Sequence, residues 1–370
     1  MPAVTLAICG HQLSIQARAP RLIRLFADYF RYYDPQIISS EKGSTNFSLS
    51  KFPNVRAFEA NDKMKFVEPR AKAVSSSPTL QIELKMRDDL PPRERLIPPS
   101  AVLFSQTGVV SLWKEDASPV GQRFYFHLGV AAFRVEVETG RAIGLITPQA
   151  MEYPHILANT YALFALLMLL RKRRLYHLHA AAIVSPYGKL WLICGAQRAG
   201  KTTLATALGL AGWQPVSDDS LLVGGDEQSA WLTPLKKYFH MGDELLRRWP
   251  QLDCIERHHQ YLDRTCTGGL EFFGTRQLAE AKFRRIDHVV LPQITNEQTS
   301  RIEPLTRSEA LLRLAEQSMF FQLWRDHTAR QWQWLNELAA NAVCHRLFSA
   351  ADILAEPHAA ARVLDRRSRE

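Results

Sequence analysis

The apolar run Leu190 to Cys194 leads without interruption into Gly195-Ala196-Gln197-Arg198-Ala199-Gly200-Lys201-Thr202-Thr203, and this junction constrains the fold more than any other part of the chain. The segment is a full match to GxxxxGK[ST]. A short continuous apolar run bounded by glycine reads as a buried strand. From Thr202 onward, Leu204, Ala207, Leu208 and Ala211 recur at helical spacing, and Gly212 stands where a helix C-terminal cap belongs. Strand, loop and helix together predict a phosphate-binding loop in an α/β domain. Its glycines let backbone N–H groups turn toward phosphate oxygens, and the helix N-terminus adds partial positive charge. Lys201 is expected to reach the outer phosphates as a compact charge, and the Thr202 hydroxyl to ligate magnesium. The expected ligands are therefore ATP and Mg2+, bound by Gly195, Ala196, Gln197, Arg198, Ala199, Gly200, Lys201, Thr202 and Thr203.

Trp213 to Val216 reads as a strand that delivers Ser217, Asp218 and Asp219 directly after the loop helix. Ligands of open α/β sheets gather at the C-terminal ends of strands, so a strand returning beside the loop brings these carboxylates to the phosphates. Beside a nucleotide and a metal, two carboxylates divide into a metal ligand and a base for an attacking hydroxyl. The residues alone leave open which is which, and Asp-Asp-Ser is also common turn chemistry. The preceding strand is expected at Leu178 to Val184, opened by His177 and His179, with Ser185 to Lys189 as the turn. Taken alone, His179 reads as a hydrogen-bonded residue at a strand end.

The string HAAAIVSPYGKLWLICGAQRAGKTTLATALGLAGWQPVSDDSLLV resembles the core of the HPr kinase/phosphorylase-like family, with its His-Ala strand, turn, phosphate loop, glycine-ended helix and Ser-Asp-Asp. The resemblance implies a P-loop kinase core of the HPr kinase and phosphoenolpyruvate carboxykinase type. It implies an ATP-dependent serine kinase acting on a protein, peptide or small serine-containing acceptor. By the same resemblance Asp218 is the general base, His179 hydrogen-bonds to it, Lys201 completes the catalytic set, and Asp219 joins Thr202 at the metal. The match covers His179 to Val223. His288 to Pro292 and the capping box Thr306 to Glu309 fit more loosely. Gln197-Arg198-Ala199 replaces the small residues of the HPr-specific enzymes, and their second, arginine-containing signature has no counterpart. Arg264 and Arg276 are candidate cations for the transferred group, although a solvated face is the commoner place for an arginine.

Ahead of this core, residues 1–148 read as a β-rich domain of unknown role, with the kinase-like domain at 149–370. Strands are expected at Val4 to Ile8, Leu80 to Leu84, Ala101 to Phe104, Gly108 to Trp113 and Arg123 to Val137. Glu138-Thr139-Gly140 reads as a hairpin turn, Arg21 to Tyr32 as a helix, and Ser39 to Ser50 and Val74 to Pro78 as surface loops. The charged end, Asp365 to Glu370, is expected to fray. Ile156 to Leu170 is the most apolar stretch, but a membrane span needs about 20 such residues. A buried helix from Pro154 to Leu170, with Arg171 to Arg174 at its C-terminal dipole, fits better.

The net charge of +9 suits anionic ligands. The basic residues are dispersed, however, so no nucleic-acid partner is expected. Cys9, Cys194, Cys254, Cys266 and Cys344 follow no disulfide or metal spacing, and no basic-then-apolar leader opens the sequence. These features favour a cytoplasmic protein with no membrane partner, and they leave room for a homo-oligomer. A second reading, an ATP-binding regulatory or scaffold protein without phosphotransfer, shares the loop and differs in needing no base beside it.

Overall fold

The computed structural model describes residues 1–30, 33, 35–38, 79–106, 110–117, 121–226, 229–235, 238–261, 264–318 and 325–368. They form two compact units that divide after Arg173. The expected loops at 39–50 and 74–78 lie outside the described residues.

In the first unit, strands β1 (Ala3–Ile8), β2 (His11–Ala17), β3 (Gln36–Ile38), β4 (Leu80–Met86), β5 (Val102–Gln106), β6 (Ser111–Ala117), β7 (Gly121–His127), β8 (Ala131–Glu136) and β9 (Arg141–Ile146) make one sheet. Its order is β3-β1-β2-β4-β9-β8-β7-β6-β5. The run Arg123 to Val137, expected as one strand, is a hairpin: β7 and β8 pair antiparallel across a turn at 128–130. Alternation explains it, because burial continues on both arms while the chain reverses at Gly129. The turn at 138–140 joins β8 to β9 as expected. Helix Pro20–Tyr29 buries Leu22, Ile23, Phe26 and Ala27.

The expected helix from Pro154 is realised as Pro154–Ile156, a π-helical segment Leu157–Ala162 and the helix Leu163–Lys172. It belongs to the first unit, so the division falls after Arg173 where the sequence placed it after Pro148. Packing is the reason. Leu163–Lys172 is buried almost all round against β4, β8 and β9, with Phe164 and Phe126 ring centroids 6.0 Å apart. Such burial, at about 1.5–3 kcal/mol per large apolar side chain, outweighs the sequence alternation that suggested an earlier boundary. Lys172 closes the last turn with a 2.9 Å ion pair to Glu138.

The second unit contains β10 (Tyr176–Leu178), β11 (Ala180–Val184), β12 (Leu190–Cys194), β13 (Gln214–Ser217), β14 (Leu221–Gly225), β15 (Ala230–Pro234), β16 (Phe239–Gly242), β17 (Arg257–Tyr261), β18 (Arg264–Thr267), β19 (His288–Ile294), β20 (Arg301–Pro304) and β21 (Val343–Ser349). Its main sheet runs β13-β11-β12-β19-β21-β20, and two three-stranded sheets, β10-β14-β15 and β16-β18-β17, accompany it. β12, β19 and β21 are mutually parallel, and the remaining pairs of the main sheet are antiparallel.

Both faces of β11 and β12 are buried, which is why they read as unbroken apolar runs. On one face, Ala181, Ile183, Trp191 and Ile193 pack with Leu204 and Leu208 of helix Lys201–Leu210. On the other, Ala182, Leu192 and Cys194 pack with Leu311, Leu314, Leu335 and Leu338 of the two helices Arg307–Glu316 and Arg325–Ala340. The capping box forms: the Glu309 N–H donates to Thr306 Oγ1 at 3.3 Å. Helix His358–Ser368, anchored by buried Ala359, Ala360, Ala361 and Leu364, runs into the stretch expected to fray, whose last residues 369–370 lie outside the described residues.

Gly209 sits inside the loop helix at a close crossing. A Cβ there would stand 2.6 Å from the Phe273 ring and 2.8 Å from Pro215. Gly209→Ala is therefore expected to lower stability by about 1 kcal/mol, because overpacking of about 1–3 kcal/mol exceeds a helix-propensity gain of about 1 kcal/mol. The urea midpoint of the variant measures this; a rise would refute the crossing.

Candidate active site

The expected strand Leu178 to Val184 is broken at its histidine. β10 pairs with β14 in one sheet and β11 with β12 and β13 in another, so His179 stands at the step between sheets. Its N–H donates to the Gln317 carbonyl at 2.8 Å, and its ring is partly exposed. β12 ends at Cys194, whose thiol, fully buried, is pushed up to about 12 by desolvation and points to the Arg313 carbonyl at 3.6 Å.

The loop Gly195 to Gly200 joins β12 to helix Lys201–Leu210 beside the end of β19, with Pro292 near Gly195 and Ile294 near Gly200. Gly200 caps the helix at φ +91°, a conformation that only glycine holds without strain. Arg198 takes φ +66° near the crest of the loop, and Ala196, Gln197 and Arg198 are exposed. Thr203 lies in the first helical turn, half-buried.

Lys201 is 6 % exposed, and its Nζ donates to the carbonyls of Gly195 at 2.8 Å and Ala196 at 3.0 Å. Burial lowers the pKa of its ammonium, and the nearby Asp219 carboxylate works against that shift. Thus the loop's lysine is held over its own loop by oxygen acceptors, where a polyphosphate can compete for it.

The two carboxylates occupy different environments. Asp218 is 1 % exposed, and its Oδ2 accepts the Thr202 hydroxyl at 3.4 Å and the His240 backbone N–H at 2.8 Å. Asp219 is partly exposed, and its Oδ1 lies 2.8 Å from His179 Nδ1. The expected partners are therefore exchanged: His179 meets Asp219, not Asp218, and Thr202 meets Asp218, not Asp219. The reason is the turn after β13. Ser217 Oγ accepts the Ser220 N–H at 3.3 Å and donates to the Ser220 carbonyl at 3.2 Å, closing a tight reversal that sends consecutive side chains opposite ways. Asp218 goes inward to the loop helix and Asp219 outward to His179. On the buried side of this turn His177 Nε2 meets Ser220 Oγ at 2.8 Å.

Thr202 and Asp218 offer hard oxygen atoms next to each other, the donor type that magnesium takes. Among the described residues no group of three or more His, Cys, Asp or Glu is arranged to hold a metal ion. A magnesium ion held here would complete its shell with phosphate and water, as it commonly does. The residue that sequence reasoning missed is His240, because its contribution is a backbone N–H at the edge of β16 and carries no side-chain signature. Among the described residues no helix is long and apolar enough to cross a membrane.

No family model matches the chain, and no curated protein matches it. Among solved structures, the Hpr(Ser) kinase/phosphatase from Coxiella burnetii aligns with 52% of this chain and 97% of its own, at 11% identity. Its TM-score of 0.28 is too slight a likeness to define the fold or the chemistry.

Proposed function

We propose that the second unit binds ATP with magnesium and transfers the γ-phosphoryl group to a serine hydroxyl of a protein, peptide or small acceptor. The observation that carries this reading is the division of labour between the carboxylates: Asp218 buried beside Thr202, Asp219 reachable and paired with His179. In this reading Asp218 and Thr202 hold the magnesium, and the metal neutralises charge on the outer phosphates when bound. Lys201 and the loop N–H groups bind and orient the phosphates. Asp219 is the base, since an incoming hydroxyl can reach it and cannot reach Asp218; His179 fixes its orientation. This exchanges the roles that the family resemblance implied for the two residues.

Incubation with labelled ATP, magnesium and serine-containing proteins, peptides or free serine tests it. Asp219→Asn is expected to retain ATP binding while transfer falls by about 10²–10⁴-fold, the usual contribution of a general base. Asp218→Asn is expected to weaken magnesium-dependent ATP binding itself. If the wild type binds ATP and labels no acceptor, the regulatory alternative replaces the kinase; equal transfer by Asp219→Asn and wild type removes the base.

A further inference from the structure

The phosphate loop has two flanks, and they differ in chemistry. In the main sheet β11 and β13 lie to one side of β12, and β19 lies to the other. β13 delivers Asp218, which meets the Thr202 hydroxyl, so the candidate metal-binding oxygens and the reachable Asp219 stand on the β13 flank. On the β19 flank the loop meets apolar side chains. Pro292 lies beside Gly195, and a Cβ at Gly200 would stand 3.9 Å from Ile294 Cγ1. Gly200 caps helix Lys201–Leu210, so Ile294 borders the helix N-terminus, the end to which phosphate oxygens are drawn.

Ile294 ends β19 and is 64% exposed, the most exposed large apolar side chain of the second unit among the described residues. It belongs to neither apolar cluster of that unit, whereas Val289 and Val290, earlier on the same strand, are buried in them. A single apolar side chain in water is ordinary, so position carries the argument. A magnesium ion at Thr202 and Asp218 would bridge the outer phosphates, as metal ions do in phosphoryl transfer. That sets the outer end of a triphosphate on the β13 flank. An acceptor hydroxyl has to arrive there too, because Asp219 is there. The inner phosphate and the nucleoside then leave over β19, where Ile294 offers an apolar surface.

We propose that Ile294 is the platform on which the base of the bound nucleotide rests. The inference rests on the nucleotide reading above and assigns the end of the ligand that the loop does not hold. Ligand sites combine a few polar groups that fix orientation with apolar surface that covers the rest. Covering one flat face of a base removes apolar area from water on both partners. An isoleucine side chain has no donor and no acceptor. Ile294 therefore covers a ring face and does not read its edge.

Titration calorimetry of the full chain with magnesium, using ATP and inorganic tripolyphosphate, tests the assignment, because the second ligand has the phosphates and no base. Ile294→Ala is expected to weaken ATP by about 5- to 10-fold, the worth of partly burying one aliphatic side chain, and to leave tripolyphosphate within about twofold. Ile294→Leu, which keeps the apolar area, is expected to bind both ligands as the wild type does. An equal effect of Ile294→Ala on both ligands, no effect on either, or a Leu variant as weak as the Ala variant overturns the proposal. Lys201→Ala serves as the reference: it is expected to weaken both ligands. If it binds both as the wild type does, the phosphate-loop reading fails, and the platform with it. If Lys201→Ala weakens both and Ile294→Ala is not selective, the loop reading stands and the platform alone falls.

Discussion

On the proposed nucleotide reading, ATP with magnesium is expected to raise the melting temperature of the wild-type protein, and Lys201→Ala is expected to abolish that rise. At ATP concentrations about 100 times Kd, binding stabilises a folded protein by about 2.7 kcal/mol. For a unit of this size that corresponds to a rise in Tm of roughly 5–10 °C. The Lys201 ammonium is the only loop side chain buried with its charge among the loop carbonyls of Gly195 and Ala196, as far as the described residues show. Its removal takes away the cation that the loop itself contributes. ATP affinity is expected to fall by at least about 100-fold, close to 3 kcal/mol, and the shift in Tm with it. The unliganded variant is expected to melt near the wild type, because what it loses is two hydrogen bonds to carbonyls at a solvent-facing loop. Differential scanning fluorimetry with and without ATP decides the matter: an undiminished shift in the variant would show that this loop does not bind the nucleotide.

Acidification from pH 7 to pH 4 is expected to cost the second unit about 3 kcal/mol through a single residue, His288. At the start of β19 its ring stacks on Trp191 with centroids 4.0 Å apart and planes within 15°, and its Nδ1 lies 3.2 Å from His345 Nε2. His345 stacks on the same indole, with centroids 5.4 Å apart. Burial, then the neighbouring His345, depress His288 from its ordinary 6.5 to about 4, with Asp287 pulling upward and Lys189 and Arg285 downward. The unfolded chain therefore binds one more proton than the folded chain between those two values. Stability is complete above about pH 6.5 and falls with pH through that window by about 1.4 kcal/mol per unit, to a total near 3 kcal/mol. His288→Gln is expected to start less stable at pH 7, because the stack is lost, and to show a flatter decline toward pH 4. Urea unfolding at half-unit intervals measures both slopes; parallel slopes would place the acid sensitivity in other groups.

The Leu190–Cys194 strand, the glycine loop and the helix from Lys201 were legible because each is a local device. An apolar run buried on both faces, a glycine forced to φ +91° and a helix face of Leu204 and Leu208 each write their cause into adjacent residues. The same holds for the hairpin turn at 138–140 and for the Thr306–Glu309 cap. The Pro154 helix was legible as a buried helix, but its assignment to the first unit was not, since an apolar helix looks the same whichever sheet covers it.

The candidate site divides along the same line. The presence of a lysine, a threonine, two aspartates and a histidine in one sequence window is a property of the sequence. Which of them touch is a property of three dimensions. His179 found Asp219 because the chain changes sheets at that residue and because the Ser217 turn throws Asp219 outward. Asp218 went to Thr202 and to the His240 N–H because β16 brings its open edge there from more than twenty residues downstream. Periodicity and capping act over a few residues, so sequence alone determined the elements and the chemical inventory. Side-chain direction at a turn and the meeting of strands from distant parts of the sequence depend on long-range packing, so only the tertiary structure decided which of these side chains touch.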